Sequence, residues 1–259
     1  MKTIKTTFLL ALFLCFTFNL SQAQQAYQVH QDNVKPSMLM EYEKIAKEFN
    51  AASIEHNLQT SWFTAMSNDF RYYYITPIKN FAELDERPMA DMAKAMGDTF
   101  GEMFDRFDKC YDSHGTYIIM KDDALSYMPE GKSDAPADEN YRKWFYMYYA
   151  PENAKNMREG MMAVKAFFTA KGSTEYYRVY RNGFGQMENY YMVSVSAKDE
   201  IDSATRGKVN EQVLGPDRWD VFSKIMKYAT RMEEIIPQRL LALNQPIFYY
   251  QAMADGDLK

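Results

Sequence analysis

The chain has 259 residues, of which 47% are hydrophobic and 15% aromatic, so it is long enough to bury a core of its own. Its formal net charge of −5 argues against nucleic-acid binding, because phosphates call for a clustered basic surface. It contains two cysteines, of which Cys15 lies in the apolar N-terminal run, and the lone thiol of Cys110 in the rest of the chain cannot form an internal disulfide.

The first 23 residues have the pattern of a secretion signal. Lys2 and Lys5 give a basic start, residues 8–20 form an apolar run, and Ser21-Gln22-Ala23 places small residues where a signal peptidase reads. The run has 13 residues, fewer than the roughly 20 that span a bilayer. We expect cleavage after Ala23 and export to the periplasm or the extracellular space. Removing 23 of 259 residues would leave a soluble chain of 236, with a charge of −7 because two lysines are lost.

The first half of the mature sequence alternates strand and helix patterns. Alternating apolar residues and runs rich in Tyr and Val indicate strands, whereas apolar residues at steps of three and four indicate helices. The predicted elements are a strand at 26–31, a helix from 35 to about 56, a hairpin at 60–78 turning at Asn68 and Asp69, a helix at 81–111 divided by Pro88, and a strand at 116–120.

The same order returns after a polar, turn-rich stretch from Pro129 to Arg142, which we interpret as a linker. The predicted elements are a strand at 144–149, a helix opened by Pro151, a hairpin at 175–196 turning at Asn182, Gly183 and Gly185, a helix around Phe222 and Ile225, and a strand at 234–243 that Pro237 limits to an edge or a bulge. The predicted division is a signal peptide at 1–23, a first repeat at 24–128, the linker at 129–142, a second repeat at 143–244 and a C-terminal tail at 245–259, in which only 247–250 looks strand-like.

A numerical offset supports duplication. Subtracting 115 places the helical stripe of the second half largely on that of the first, with Pro151 on Pro36. After the longer second hairpin turn the offset becomes 118, which places Tyr190 on Tyr72 and Phe222 on Phe104. One insertion at a turn is what duplication followed by loop drift would leave.

Each half therefore has the order strand, helix, strand, strand, helix, strand. This order resembles the ferredoxin-like unit of the dimeric α/β-barrel superfamily, which includes the NIPSNAP proteins, the antibiotic-biosynthesis monooxygenases and the haem-handling chlorite dismutases. The resemblance implies an α+β fold in which two tandem ferredoxin-like (βαββαβ) repeats form an intramolecular α/β barrel with the helices outside. The alternative is two ferredoxin-like domains that do not close into a barrel.

In such a barrel, alternate strand residues face the interior. The more apolar set of Tyr191, Val193 and Val195 should face the helices, which leaves Tyr190 inward, and the offset of 118 makes Tyr72 its counterpart. We expect a tyrosine-lined interior with one guanidinium, suited to a flat or acidic molecule. The predicted ligand-binding residues are Tyr72, Tyr74, Tyr176, Arg178, Tyr180, Tyr190 and, on the first strand, His30. The alternative is that these tyrosines only fill a core.

Catalytic patterns are weak. No Gly-rich phosphate loop follows a strand, and no pair of cysteines or clustered histidines offers a metal site, so no metal and no cofactor are expected. The resemblance to haem-handling proteins makes His114, just after the long predicted helix, the position that loosely matches an axial histidine. The alternative is a helix-end residue, because a cation is favourable at a helix C-terminus.

Three functions remain open on this sequence. The first is an exported small-molecule binding protein, and the second is a small-substrate enzyme of the monooxygenase or haem-handling type, assisted by His30 or His114 and Arg178. The third is a structural or interaction module. The expected partner is a small-molecule ligand, without nucleic acid or a membrane span, and the chain would be a monomer or a homodimer.

Overall fold

The computed structural model describes residues 25–129 and 138–239, and these form two successive units of similar construction. The first unit contains, in order, β1 (Ala26–Val34), α1 (Leu39–Glu55), β2 (Phe63–Met66), β3 (Arg71–Ile78), α2 (Ala90–Met96), α3 (Asp98–Phe107) and β4 (Tyr111–Lys121). The second contains β5 (Tyr141–Tyr149), α4 (Ala154–Lys171), β6 (Arg178–Asn182), β7 (Asn189–Ala197), α5 (Glu200–Leu214), α6 (Arg218–Met226), β8 (Ala229–Ile235) and the short β9 (Gln238–Arg239). The bounds predicted for the repeats and the linker stay a prediction.

Strand pairing closes the two units into one barrel. The antiparallel order is β4-β1-β3-β2 in the first unit and β8-β5-β7-β6 in the second, the order of a ferredoxin-like sheet. Two seams join the units, β4 with β6 (Ile119 opposite Asn182) and β2 with β9 (Ala65 opposite Arg239). The predicted fold class, two tandem βαββαβ repeats in an intramolecular barrel, is confirmed.

The β4-β6 seam depends on a glycine turn. The backbone N–H of Gly183 donates to the carbonyl oxygen of Ile118 at 2.8 Å, and a Cβ at position 183 would lie only 2.8 Å from that oxygen. Gly185, two residues later, has a φ of +89°, which residues with side chains rarely adopt. The turn residues predicted from the sequence therefore also hold the second hairpin against the first unit.

Two predicted elements differ from the structure. The long helix at 81–111 is a 3₁₀ turn (Phe81–Asp85) followed by α2 and α3, which Gly97 separates with a φ of +59°. Strand β4 begins at Tyr111 instead of residue 116, because its ladder with β1 continues to Val34. His114 is consequently a strand residue seven positions beyond the end of α3, and the interpretation of it as a helix-end residue is wrong. Of the predicted strand at 234–243, Pro237 separates β8 from β9, and residues 240–243 and 247–250 lie outside the described residues.

The buried side chains form three main groups. One packs the helices of the first unit on its sheet around Tyr42, and a second does the same in the second unit around Met157 and Tyr191. The third lies between the sheets in the barrel interior and includes Tyr73 and Trp144. Each sheet therefore has a helix-facing side and an interior side, and a candidate site could lie on either.

Candidate functional site

The second unit presents its predicted tyrosines as expected from strand alternation. Tyr180 and Tyr190 lie in the interior group, whereas Tyr191 packs with the helices. Arg178, opposite Ser194, is 3% exposed and lies over the ring of Tyr176 at 5.6 Å.

Tyr176 belongs to a network of charged and hydroxyl groups beside the interior. Its hydroxyl donates to Glu139, and Glu139 Oε1 lies 3.2 Å from Arg206 Nη1. The guanidinium of Arg206 also pairs with Glu175 at 2.7 Å. Tyr176 is thus already held by protein partners.

The barrel interior is packed with aromatic rings. Tyr73 meets Trp144 edge-on with centroids 5.0 Å apart, and Tyr190 lies 5.2 Å from Tyr146 and 5.7 Å from Tyr148. Burial raises the pKa of Tyr146 and Tyr190, so these phenols stay neutral at physiological pH. The interior residues therefore behave as a core, which is the alternative that the sequence left open.

Tyr72 and Tyr74 lie on the opposite side of their sheet, so the expectation that they face the interior is wrong. Both pack in the helix-facing group of the first unit, while Tyr73 faces the interior. The strand pairing explains the error. Tyr74 pairs with His30, and the offset of 115 carries His30 to Phe145, which pairs with Val193. The offset between β3 and β7 is therefore 119, whereas the sequence comparison used 118. A slip of one residue moves every side chain of a strand to the other face.

This correction brings Tyr74 and His30 to one pocket between the sheet and the helices of the first unit. The pocket has a volume of about 460 Å³. Its floor is formed by alternate residues of β1, β3 and β4, and its roof by aromatic residues of α1 and α3 together with Trp62. The floor includes His30, Asp32, Tyr74, His114 and Thr116, and the roof includes Tyr42, Phe49, Phe104 and Phe107.

A hydrogen-bonded cluster occupies the floor of this pocket. Asp32, 4% exposed, accepts a hydrogen bond on Oδ2 from the hydroxyl of Tyr42 at 2.5 Å. The hydroxyls of Tyr42 and Tyr74 lie 2.9 Å apart, and burial raises the pKa of both. His30 places Nε2 3.1 Å from Asp32 Oδ1 and Nδ1 2.9 Å from Thr116 Oγ1. The cluster can hold a proton, or a polar group of a ligand, at the end of an apolar space.

His114 completes the cluster from the neighbouring strand. It lies directly opposite Asp32 in the β1-β4 ladder, and its ring centroid is 5.5 Å from that of His30. It is exposed and stacks on Tyr111 at 4.9 Å. The inference that the chain offers no clustered histidines is therefore wrong, because the two that meet lie 84 positions apart in the sequence.

The second unit carries apolar side chains at the same ladder positions. Phe145 stands where the first unit has His30, Met147 where it has Asp32, and Met232 where it has His114. Applying the offset of 115 to α1 places Met157, which is fully buried, on Tyr42. The cluster of polar side chains is therefore present at only one of the two matching positions, because the second unit has apolar side chains there.

Asp32, Tyr42 and Thr116 were not among the predicted site residues. The alternation of Gln28, His30 and Asp32 along β1 was a usable signal, because three polar residues on the helix-facing side of a strand contradict a purely apolar core. Tyr42 gave no such signal, since it falls on the apolar stripe of α1.

Comparison with known proteins identifies the fold. No protein-family model matches the sequence, and no curated protein matches it. An anthrone oxidase-like protein matches with a TM-score of 0.57 at 9% identity, over 84% of this chain and 92% of that one. A candidate monooxygenase from Fusobacterium nucleatum subsp. nucleatum matches with a TM-score of 0.54 at 12% identity, over 84% of this chain and 93% of that one. A candidate monooxygenase from Lactobacillus acidophilus matches with a TM-score of 0.50 at 11% identity, over 83% of this chain and 94% of that one.

At these identities the likeness concerns the fold alone. The chain has the dimeric α/β-barrel fold, so that part of the resemblance is confirmed, whereas the narrower likeness to NIPSNAP proteins stays a prediction. Within the described residues, every helix is too short or too polar to cross a bilayer.

Proposed function

We propose that this protein is a small-substrate enzyme of the monooxygenase type, which binds a flat aromatic molecule in the pocket of the first unit. The observation that carries the proposal is the cluster of His30, Asp32 and Tyr42 at the floor of a pocket with an aromatic roof. The second unit has the apolar residues Phe145, Met147 and Met157 at the matching positions. A barrel used only for structure gains nothing from a polar cluster at one of two matching positions.

The pocket lining favours an aromatic substrate. Its volume of about 460 Å³ is within the range of small-molecule sites, roughly 300–1,000 Å³. Phe49, Trp62 and Phe104 give it ring surfaces that stack on flat molecules. The hydroxyls and the carboxylate at the floor would orient one polar edge, such as a carbonyl or a phenol.

The cluster suits removal of an acidic proton from that edge. His30 can accept a proton from a C–H or O–H group bound beside it, while Asp32 stabilises the imidazolium that forms. The resulting substrate anion is electron-rich and can react with dioxygen as the co-reactant. For a methylene group flanked by aromatic rings, one dioxygen gives one carbonyl and one water, so atoms and electrons balance without a further reductant.

We also propose that the enzyme acts outside the cytoplasm, after cleavage behind Ala23. This proposal is supported by the basic start, the apolar run and the small residues of the first 23 positions, which lie outside the described residues.

Anthrone, a flat tricyclic ketone with an acidic methylene group, is a suitable test compound, and one fold neighbour is named as anthrone oxidase-like. The mature chain is incubated with anthrone in air, and anthraquinone and oxygen uptake are measured. We expect turnover that falls at least 100-fold in His30→Phe, since general acid-base catalysis contributes about 10²–10⁴.

The control is Tyr190→Phe, which alters the barrel interior and leaves the pocket lining intact. It should retain activity within about two-fold. Binding of anthrone under nitrogen without turnover in air would refute the enzyme and favour the binding protein. Loss of binding in Tyr190→Phe but not in Tyr74→Val would return the site to the barrel interior.

A further inference from the structure

Two imidazoles and one carboxylate meet at the floor of the pocket. The β1-β4 ladder places Asp32 opposite His114, and His30 lies on the same side of β1, two residues before Asp32. One ligand atom from each of the three side chains lies within 4.8 Å of the others. Imidazole nitrogen and carboxylate oxygen in this ratio are a recurrent ligand set of first-row transition metals, with coordination positions left open for other ligands.

Asp32 provides an independent indication of a cation. Its side chain is 6% exposed and its Oδ2 accepts from Tyr42, but Oδ1 is buried and makes no hydrogen bond to any described residue. His30 Nε2 lies 3.1 Å from Oδ1, yet not in the direction of a hydrogen bond. A buried carboxylate oxygen without a donor is costly, and a bound cation would remove that cost.

The remaining polar atoms of the cluster are placed as supporting groups of a metal site. His30 Nδ1 lies 2.9 Å from Thr116 Oγ1, and if it donates its proton there, Nε2 has a free lone pair on the side of Asp32. Asp32 is held through Oδ2 by Tyr42, whose hydroxyl in turn contacts that of Tyr74 at 2.9 Å. Metal-binding histidines and carboxylates are commonly oriented by such hydrogen bonds.

We infer that His30 Nε2, Asp32 Oδ1 and a ring nitrogen of His114 bind one divalent first-row transition ion, of the Fe²⁺ or Zn²⁺ class. Such an ion lies about 2.0–2.2 Å from each ligand, so ligand atoms about 3 Å apart are needed, and His30 and Asp32 already meet this distance at 3.1 Å. His114 is exposed and can rotate toward them. The inference concerns the same His30 and Asp32 as the proposed function, and a bound ion would take the Nε2 lone pair, so His30 acts as the base only in the metal-free chain. The inference does not depend on an aromatic substrate.

Co²⁺ is the probe, because it replaces such ions and absorbs visible light when protein-bound. The mature chain, prepared without a histidine tag and freed of metal by a chelator, is titrated with Co²⁺ by calorimetry and by absorption. We expect one Co²⁺ per chain and a rise in Tm on binding. His114→Ala and Asp32→Asn should weaken binding at least ten-fold. Thr116→Val, which removes only the supporting hydroxyl, should weaken it about ten-fold.

The control is His56→Ala, which removes the remaining histidine of the chain, at the end of α1, and should leave the affinity unchanged. Unchanged Co²⁺ affinity in both His114→Ala and Asp32→Asn would overturn the inference, as would binding weaker than about 1 mM in the intact chain. His114 is exposed, so its variant tests the site even if Asp32→Asn does not fold. Anthrone turnover is measured on the metal-free chain, in which His30 is not a ligand, so a failure of one proposal is distinguishable from a failure of the other.

Discussion

Replacing Tyr42 with Phe removes one hydroxyl from the centre of the first unit and should destabilise the protein clearly. The ring contacts with Tyr72 and Phe107, at centroid distances of 4.6 and 5.4 Å, would remain, so the packing is preserved. The hydroxyl, however, donates to Asp32 Oδ2 at 2.5 Å, and Oδ1 already makes no hydrogen bond to the described residues. The variant would leave a buried carboxylate without a hydrogen-bond donor.

Hydrogen bonds to charged groups contribute about 1.5–3 kcal/mol, and the cost rises when the remaining partner stays buried. We therefore expect Tyr42→Phe to lower the free energy of unfolding by about 2–3 kcal/mol. For a chain of this size that corresponds to a Tm lower by roughly 5–10 °C. Urea unfolding of the metal-free protein, followed by circular dichroism, measures the difference.

Tyr177→Phe is the matched control in the second unit. Its hydroxyl is also buried, but it makes no hydrogen bond to any described residue, so its removal should be neutral or stabilise by up to about 1 kcal/mol. In an Asp32→Asn background the cost of Tyr42→Phe should fall below about 1 kcal/mol, because the amide carries no charge. Equal costs for Tyr42→Phe and Tyr177→Phe would refute the reasoning.

Three further predictions concern the seam, the phenols and the leader. Gly183→Ala should destabilise the protein by more than about 1 kcal/mol in urea unfolding, since its Cβ would meet the carbonyl oxygen of Ile118 at 2.8 Å. Gly207→Ala in the middle of α5, where a Cβ meets nothing within 4 Å, should stabilise it by about 0.5–1 kcal/mol. The reverse order of stabilities would contradict the close approach at the β4-β6 seam. Burial raises the pKa of Tyr73 to about 12, so the stabilising effect of the neutral phenol is complete below pH 10 and is lost as the pH rises toward 12. Between these pH values, Tyr73→Phe should reduce the slope of the free energy of unfolding against pH by about 1.4 kcal/mol per pH unit. An unchanged slope would show that this phenol ionises freely. Mass spectrometry of the protein expressed in a secreting host should give a chain beginning after Ala23, and an intact N-terminus would refute export by a cleaved signal.

The architecture could be predicted from the sequence because the duplicated helical stripes and hairpins carry strong local patterns. Tyr190 and Tyr191 were assigned to the correct faces, since Val193 and Val195 continue the apolar alternation on one side of β7. Tyr72, Tyr73 and Tyr74 offer no such alternation, because three identical side chains fit either face of a strand. Their orientation is set by the β1-β3 register, which the sequence does not display.

The pocket could not be predicted for a related reason. His30 and His114 come together only through the pairing of β1 with β4, and β4 extends five residues further toward the N-terminus than its apolar core at 116–120 indicates. The polar stretch 112–116 has the composition of a loop, and its ladder with β1 makes it a strand. Tyr42 resembles a core residue in every local respect, and only its contact with Asp32 shows a second role.

The difference in side chains between the two units determines how many ligand molecules one chain can bind. A barrel assembled from two identical chains would carry every side chain twice, so each change at one site would be imposed on the other. Fusion into one polypeptide frees the copies to diverge, and here Phe145 and Met147 stand where the first copy has His30 and Asp32. The pocket should accordingly be saturated by one equivalent of ligand per polypeptide, and the binding curve should be a simple hyperbola.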